Sequence, residues 1–240
     1  MIVRFKLEGQ ARGGSLSLDD RRIISSGDVI ALDDVELLAP CNPSKIVCVG
    51  LNYAEHANEL KMKLPDEPIL FLKPHSAIIG PGEEIVVPES SKRIDYEGEL
   101  GVVIGKRCKY ITADDAKKYI LGYTCFNDVT ARDLQQKDGQ WTRAKSFDTF
   151  APFGPWIATI DPSDADIQTR VNGAIKQKSN TSDLIFSVPK LMEFISKVMT
   201  LEPGDIIATG TPPGVGRLDK GDVVEVEIKG IGVLKNRVAL

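Results

Sequence analysis

The sequence predicts an α+β fold that is mostly β. Three observations carry this expectation. Short apolar pieces recur along the 240-residue chain, turn-forming residues part them, and the few helical stretches stand alone instead of alternating with strands in a βαβ rhythm.

Residues 1 to 43 read as a small β-rich N-terminal region. Ile2–Leu7, Ile23–Ile24, Val29–Leu32 and Val35–Leu38 are its apolar pieces, with turn signals at Gly13-Gly14 and Gly27-Asp28. Pro40 and Pro43 punctuate the chain, and residues 44 to 240 form the main unit. Lys45–Gly50 reads as a buried strand. Asn52–Lys63 has helical spacing, with Tyr53, His56, Ala57 and Leu60 on one face. Ile69–Leu72, Glu84–Val87 and Gly98–Ile104 are strand-like, and Thr112–Tyr119 is a helix with Thr112 and Asp115 in a capping-box pattern. Gly122–Val129 is a further strand, followed by a polar, Gln-rich loop from Thr130 to Arg143. Phe153–Ile160 and Thr169–Asn172 are strand-like. Ser187–Met199 is an amphipathic helix, with Ser187 as cap and Pro189 in its first turn. Asp205–Thr209, Asp222–Ile228 and Val233–Val238 close the chain as strands.

Composition excludes several classes. A net charge of −4 with both signs interspersed, and no Lys/Arg run of five, argues against a nucleic-acid partner. Apolar runs such as Ile46–Leu51 fall far short of the ~20 residues of a membrane span. The start, Met-Ile-Val-Arg-Phe-Lys, alternates like a strand and lacks the pattern of a signal peptide, so the cytoplasm is the expected compartment. Cys41, Cys48, Cys108 and Cys125 lie far apart beside apolar stretches and read as reduced, buried thiols.

The densest chemistry is Asp95-Tyr96-Glu97-Gly98-Glu99. In a strand, residues two apart face the same way, so these three carboxylates would share one face. Like charges that close repel, and a cation would relieve them. Alone, the stretch is as compatible with a solvated polar face. Gly98 tips the balance, because a missing side chain lets backbone or ligand approach. Asp128 ends an apolar strand where a polar loop begins, a common place for catalytic side chains, though taken alone it reads better as a turn-former. Carboxylates without Cys or His make an all-oxygen site for a hard ion, Mg2+ or Mn2+.

Two histidines exist. His56 and Glu59, at i and i+3, can pair on a helix face either as a general-base dyad or as an ordinary surface ion pair. His75 follows Lys73-Pro74 in a loop and reads as structural or solvent-facing.

Six ordered motifs resemble the fumarylacetoacetate hydrolase family. They are Gly50-Leu51-Asn52-Tyr53-Ala54-Glu55-His56, Phe71-Leu72-Lys73-Pro74, Asp95 to Leu100, Asn127 to Gln135, Lys145 to Phe150, and Thr209-Gly210-Thr211-Pro212-Pro213-Gly214-Val215-Gly216. The glycine-rich last one lacks the Gly-Lys-Ser/Thr of a phosphate loop. The likeness covers residues 44 to 240 and implies a mixed β-sandwich roll and a homodimer.

By motif position it implies Glu97, Glu99 and Asp128 as Mg2+/Mn2+ ligands, and His56 with Glu59 as general-base pair on a segment that closes over substrate. Lys145 would stabilise negative charge. Arg132, Gln135 and Thr211 would contact substrate, with Lys73 also lining the pocket. The implied reaction is hydrolytic C–C cleavage of an acylpyruvate or related 2-oxo acid through a metal-stabilised enolate. The same site suits isomerisation of a hydroxy-dienedioate or decarboxylation of a 2-oxo or 2-hydroxy diacid such as oxaloacetate. Leu51 stands where some family hydrolases carry arginine, which keeps those alternatives open. A non-catalytic metal-binding module has no use for His56, Glu59 and Lys145.

Overall fold

The computed structural model describes residues 1–59 and 63–240. Leu60, an apolar position of the expected first helix, lies outside them. Strands β1 (Ile2–Leu7), β2 (Gln10–Ser17), β3 (Arg22–Ser25), β4 (Asp28–Ala31) and β5 (Glu36–Leu37) open the chain. They are followed by β6 (Ile46–Gly50), helix α1 (Ala54–Glu59), β7 (Ile69–Lys73), β8 (Ile78–Ile79) and β9 (Glu84–Ile85). Next come β10 (Ile94–Tyr96), β11 (Gly98–Ile104), β12 (Ile120–Asn127), β13 (Thr130–Ala131), α2 (Arg132–Asp138) and α3 (Thr142–Lys145). The chain ends with β14 (Ala151–Ala158), β15 (Asp166–Val171), β16 (Ala174–Asn180), α4 (Val188–Val198), β17 (Ile206–Ala208), β18 (Gly216–Leu218), β19 (Val223–Ile228) and β20 (Gly232–Val238).

These strands make three mixed sheets. The largest runs β4-β3-β2-β1-β14-β12-β11-β17-β6-β7, with β5 against β1 and β8 against β14. A five-stranded sheet runs β16-β15-β19-β20-β9, and a small one β13-β10-β18. Every residue of β11 is buried, because that strand is covered on both faces. Leu100, Val102 and Ile104 pack with Val226 of β19, Ile167 of β15 and Leu191, Met192 and Ile195 of α4. Val103 on the opposite face packs with Phe126, Phe153 and Ile206. The N-terminal strands continue the large sheet through β1, but enclose their own cluster of Val3, Phe5, Leu16, Ile23 and Leu32. Among the described residues, no helix is long and apolar enough to cross a membrane.

Several local expectations change. Gly13-Gly14 is no turn but lies inside β2, where a Cβ at Gly14 would stand 2.7 Å from Ile23 Cγ2; glycine serves close strand approach there. The Thr130–Arg143 loop contains β13, all of α2 and the start of α3. Ala113–Tyr119 is a 3-10 helix, and the Thr112 hydroxyl donates to Asp115 Oδ2 (3.2 Å) without capping a backbone N–H. Ser187 makes no side-chain cap either; Pro189 starts that helix through its fixed φ. The four cysteines are free, and all but the half-buried Cys41 are buried.

Asp205 anchors the start of β6 to β17. Its buried carboxylate accepts N–H groups from Ser44 (3.0 Å), Lys45 (3.2 Å) and Glu202 (2.8 Å), the Ser44 hydroxyl (2.7 Å) and the Lys45 ammonium. Burial pushes this carboxyl up, but Lys45 and the N–H donors outweigh burial and hold it below the usual range. A carboxyl lowered on folding contributes stability above its unfolded pKa and loses it as pH falls through the lowered value. Asp205→Asn is expected to cost about 3 kcal/mol at neutral pH. In urea titrations it should also remove part of the stability loss that wild type shows below pH ~4.

Candidate active site

The carboxylates converge at the seam between two sheets. β10 pairs with β13 and β18, whereas β11 pairs with β12 and β17, so Glu97 falls in the break between them. Its backbone is held on both sides: Glu97 N–H donates to Asn127 Oδ1 (3.0 Å), and its carbonyl accepts from Asp128 N–H (2.8 Å). Glu99 then sits on β11 opposite Phe126, and Asp128 immediately follows β12. One oxygen from each of Glu97, Glu99 and Asp128 lies within 4.8 Å of the others, and all three residues are buried. Asp95 does not join them. Because its strand belongs to the small sheet, its carboxylate is taken by Arg93 (2.8 and 3.0 Å) and by Arg132 Nε (2.9 Å).

The surrounding cations divide unequally. Lys145 Nζ donates to Glu97 Oε2 (2.8 Å) and Asp128 Oδ2 (2.6 Å), and Arg132 reaches the other Glu97 oxygen. Burial alone would raise Glu97, but Lys145 and Arg132 overcome it and hold the carboxyl at about 2. Burial likewise opposes the charge on Lys145, and Asp128 and Glu97 more than restore it, raising its pKa. Glu99 receives only the Gly210 N–H (2.8 Å), and no cation stands at ion-pair distance among the described residues. Burial, then Asp128, then Glu97 push its carboxyl well above the normal range. An all-oxygen donor set with one uncompensated member fits a hard divalent ion.

His56 is buried at the wall of the same cavity, and its Nδ1 lies 3.0 Å from Glu59 Oε2. An ionised carboxylate only accepts, so Nδ1 carries the proton and Nε2 is the basic nitrogen. The helix bearing this pair is tethered through Asn52, whose amide donates to Thr209 O (2.8 Å) and Phe186 O (3.0 Å). Gly210 admits that tether: its φ is +101°, and a Cβ there would stand 2.7 Å from Asn52 Cβ.

The cavity, of about 330 Å³, is lined by His56, Glu97, Glu99, Asp128 and Lys145, together with Arg132, Gln135 and Thr211. Arg132 also binds Gln135 Oε1 (2.6 Å). The Thr211 hydroxyl is already engaged, donating to Gly98 O (2.9 Å) and accepting from Gln177 Nε2 (2.8 Å). Lys73 is a correction: it lies behind Asp128, bonded to Asp128 Oδ1 and to Val129 O (3.0 Å), and does not line the cavity. Its buried ammonium needs those two acceptors, so it neutralises Asp128 from the rear. His75 is exposed, as expected.

Sequence reasoning missed Gln177, which accepts Gly98 N–H (3.0 Å) and donates to Thr211 and Pro212. It also missed the apolar wall of Leu51, Phe71 and Trp141. Phe71 and Leu51 lay within motifs already quoted, whereas a lone buried Gln in a polar strand carries no pattern.

Fold and cavity together define a β-rich enzyme with an acidic, buried centre. The family model for fumarylacetoacetate (FAA) hydrolase C-terminal matches residues 45–239, and the chain belongs to that family. An uncharacterized protein of Archaeoglobus fulgidus is 60% identical over 237 residues, spanning 98% of this chain and 95% of its own. Bovine mitochondrial oxaloacetate tautomerase FAHD2A is 45% identical over 251 residues, spanning 99% of this chain and 79% of its own. Among solved structures, 5-carboxymethyl-2-hydroxymuconate delta-isomerase from Mycobacterium smegmatis superposes with a TM-score of 0.94 at 47% identity, covering 99% of this chain and 98% of that one. Maleylpyruvate hydrolase from Sphingobium sp. SYK-6, solved with manganese(II) and pyruvate, gives 0.85 at 31% identity over the same shares, 99% and 98%.

Proposed function

We propose that this protein is a Mg2+- or Mn2+-dependent enzyme that moves a proton on a short 2-oxo acid, interconverting the keto and enol forms of oxaloacetate or a close analogue. The observation that carries this reading is the meeting, in one cavity, of the carboxylate triad and a histidine whose Nδ1 is tied to Glu59. Glu97, Glu99 and Asp128 would hold the ion, which when bound supplies Lewis-acid polarisation of the 2-oxo group.

The chain's own groups do the rest. His56 Nε2 takes the proton from C3, and the C–H electron pair becomes the C2=C3 double bond. The carbonyl electrons move to the oxygen, where the Lys145 ammonium offsets the charge. Reprotonation at oxygen completes the enol. Arg132 and Gln135 would orient a carboxylate, and the Thr209–Gly216 loop would receive the other.

Substrate length follows from where the charges lie. Among the described cavity-lining residues the cations are Arg132 and Lys145, both bonded to the carboxylates, while Val49, Leu51, Phe71 and Trp141 supply apolar lining. A four-carbon diacid keeps both carboxylates near the cations. A long diacid would press its far carboxylate against an apolar wall, at a desolvation cost. That wall does suit a short acyl group, which supports a second reading: hydrolysis of a small acylpyruvate, with His56 deprotonating water instead of C3.

A panel of oxaloacetate, acetylpyruvate, fumarylpyruvate and a hydroxy-dienedioate with Mn2+ separates these readings. The expected result is metal-dependent acceleration of the relaxation of enol-oxaloacetate, followed by ultraviolet absorbance, without release of carbon dioxide. Acetate and pyruvate formed from acetylpyruvate would transfer the function to hydrolysis. Absence of turnover on all four would overturn the reading.

A further inference from the structure

We propose that Trp141 sets the length of 2-oxo acid the cavity accepts, acting as a stop on its apolar wall. The proposal rests on the 2-oxo acid reading above and adds a specificity-determining residue to it.

One wall of the cavity runs in a definite order. Lys145 Nζ, bonded to Glu97 and Asp128, stands 4.9 Å from the centre of the Phe71 ring. The Phe71 ring centre is in turn 5.3 Å from that of Trp141, at an interplanar angle of 75°. Ammonium, phenyl and indole are therefore in successive contact along one wall of the cavity. The same short helix carries two of them: Lys145 N–H donates to Trp141 O (3.0 Å), so one helical turn relates the two residues along the backbone.

The half-buried indole is backed on one side. It rests directly on the backbone of Gly50, where a Cβ would stand 2.7 Å from Cζ3 and 2.9 Å from Cη2. Gly50 and Phe71 lie on β6 and β7, adjacent antiparallel strands in register over Ile46–Gly50 and Ile69–Lys73. The stop is thus backed by a sheet and flanked by a second ring. On that side the ring cannot yield without displacing backbone, so a substrate tail that pushes it toward Gly50 meets resistance.

The test is calorimetric titration of the Mn2+-loaded protein with pyruvate, 2-oxobutanoate, 2-oxopentanoate and 2-oxohexanoate, for wild type, Trp141→Phe and Trp141→Ala. Wild type is expected to lose about 10-fold or more in affinity at the first tail that meets the ring, while Trp141→Ala changes pyruvate binding less than about 3-fold and shifts that loss to a longer acid. Trp141→Phe, which keeps a flat ring and safeguards the test should the alanine variant not fold, should fall between them. Parallel affinity ladders in wild type and both variants would overturn the stop while leaving the 2-oxo acid reading intact. Failure of wild type to bind pyruvate at all would overturn that reading and the stop with it.

Discussion

Glu99→Gln is expected to abolish measurable Mn2+ binding in calorimetry and to lower turnover by on the order of 10³-fold or more, the several kcal/mol that a bound divalent ion contributes. Its effect on folding should be small. Without a cation, burial and the neighbouring Asp128 and Glu97 charges favour the neutral acid at Glu99, which an amide closely imitates. Glu97→Gln should match it in lost metal affinity but differ sharply in stability. That carboxylate partners Lys145 and Arg132, and its loss takes a counter-charge from the buried Lys145 and one of two from the half-buried Arg132, a change worth about 3 kcal/mol. Metal-free melting curves of the two variants therefore separate a carboxylate that holds only metal from one that also holds the protein. Undiminished Mn2+ binding by Glu99→Gln would rule out the triad as the metal site.

The second large effect is expected at His56. His56→Ala should reduce kcat by about 10²–10⁴-fold, the usual range for a positioned acid–base group. Mn2+ affinity should stay unchanged, since the imidazole is outside the triad. Glu59→Gln should fall in the same direction by less, because it loses the carboxylate that fixes the imidazole proton on Nδ1 yet keeps an acceptor there. A loss of only a few-fold in His56→Ala would remove the proton-transfer role from this residue.

The sequence made part of this site readable because part of it is local. Glu97 and Glu99 are two apart, His56 and Glu59 three apart, and Asp128 ends an apolar strand; each spacing has a direct geometric meaning. What escaped is assembled from distant segments. Asp95 shares the spacing of its neighbours, but the change of sheets at Glu97 gives it to Arg93 and Arg132 instead. The wall of Gly50, Phe71 and Trp141 joins β6, β7 and the entry to α3, and only the tertiary fold shows that the glycine exists to seat the indole. At the level of the fold, the hairpin of β15 and β16 was legible and overlooked. Its two-residue Asn172-Gly173 loop, with φ of 49° and 80°, is the strongest short-range hairpin signal there is. The polar character of Ala174–Asn180 hid the strand, in which Gln177 is the buried exception.

The two ends of the cavity are carried by different kinds of scaffold. The carboxylates are rooted in or beside β11 and β12, where mutation is constrained by a core packed on both faces. Several residues that would meet the rest of a substrate, Arg132, Gln135, Trp141 and Leu51, stand instead on α2, at the entry to α3 and on the short approach to α1, segments with exposed faces. A substitution in the outer segments can therefore reshape what the cavity admits without disturbing the strands that carry the acidic centre.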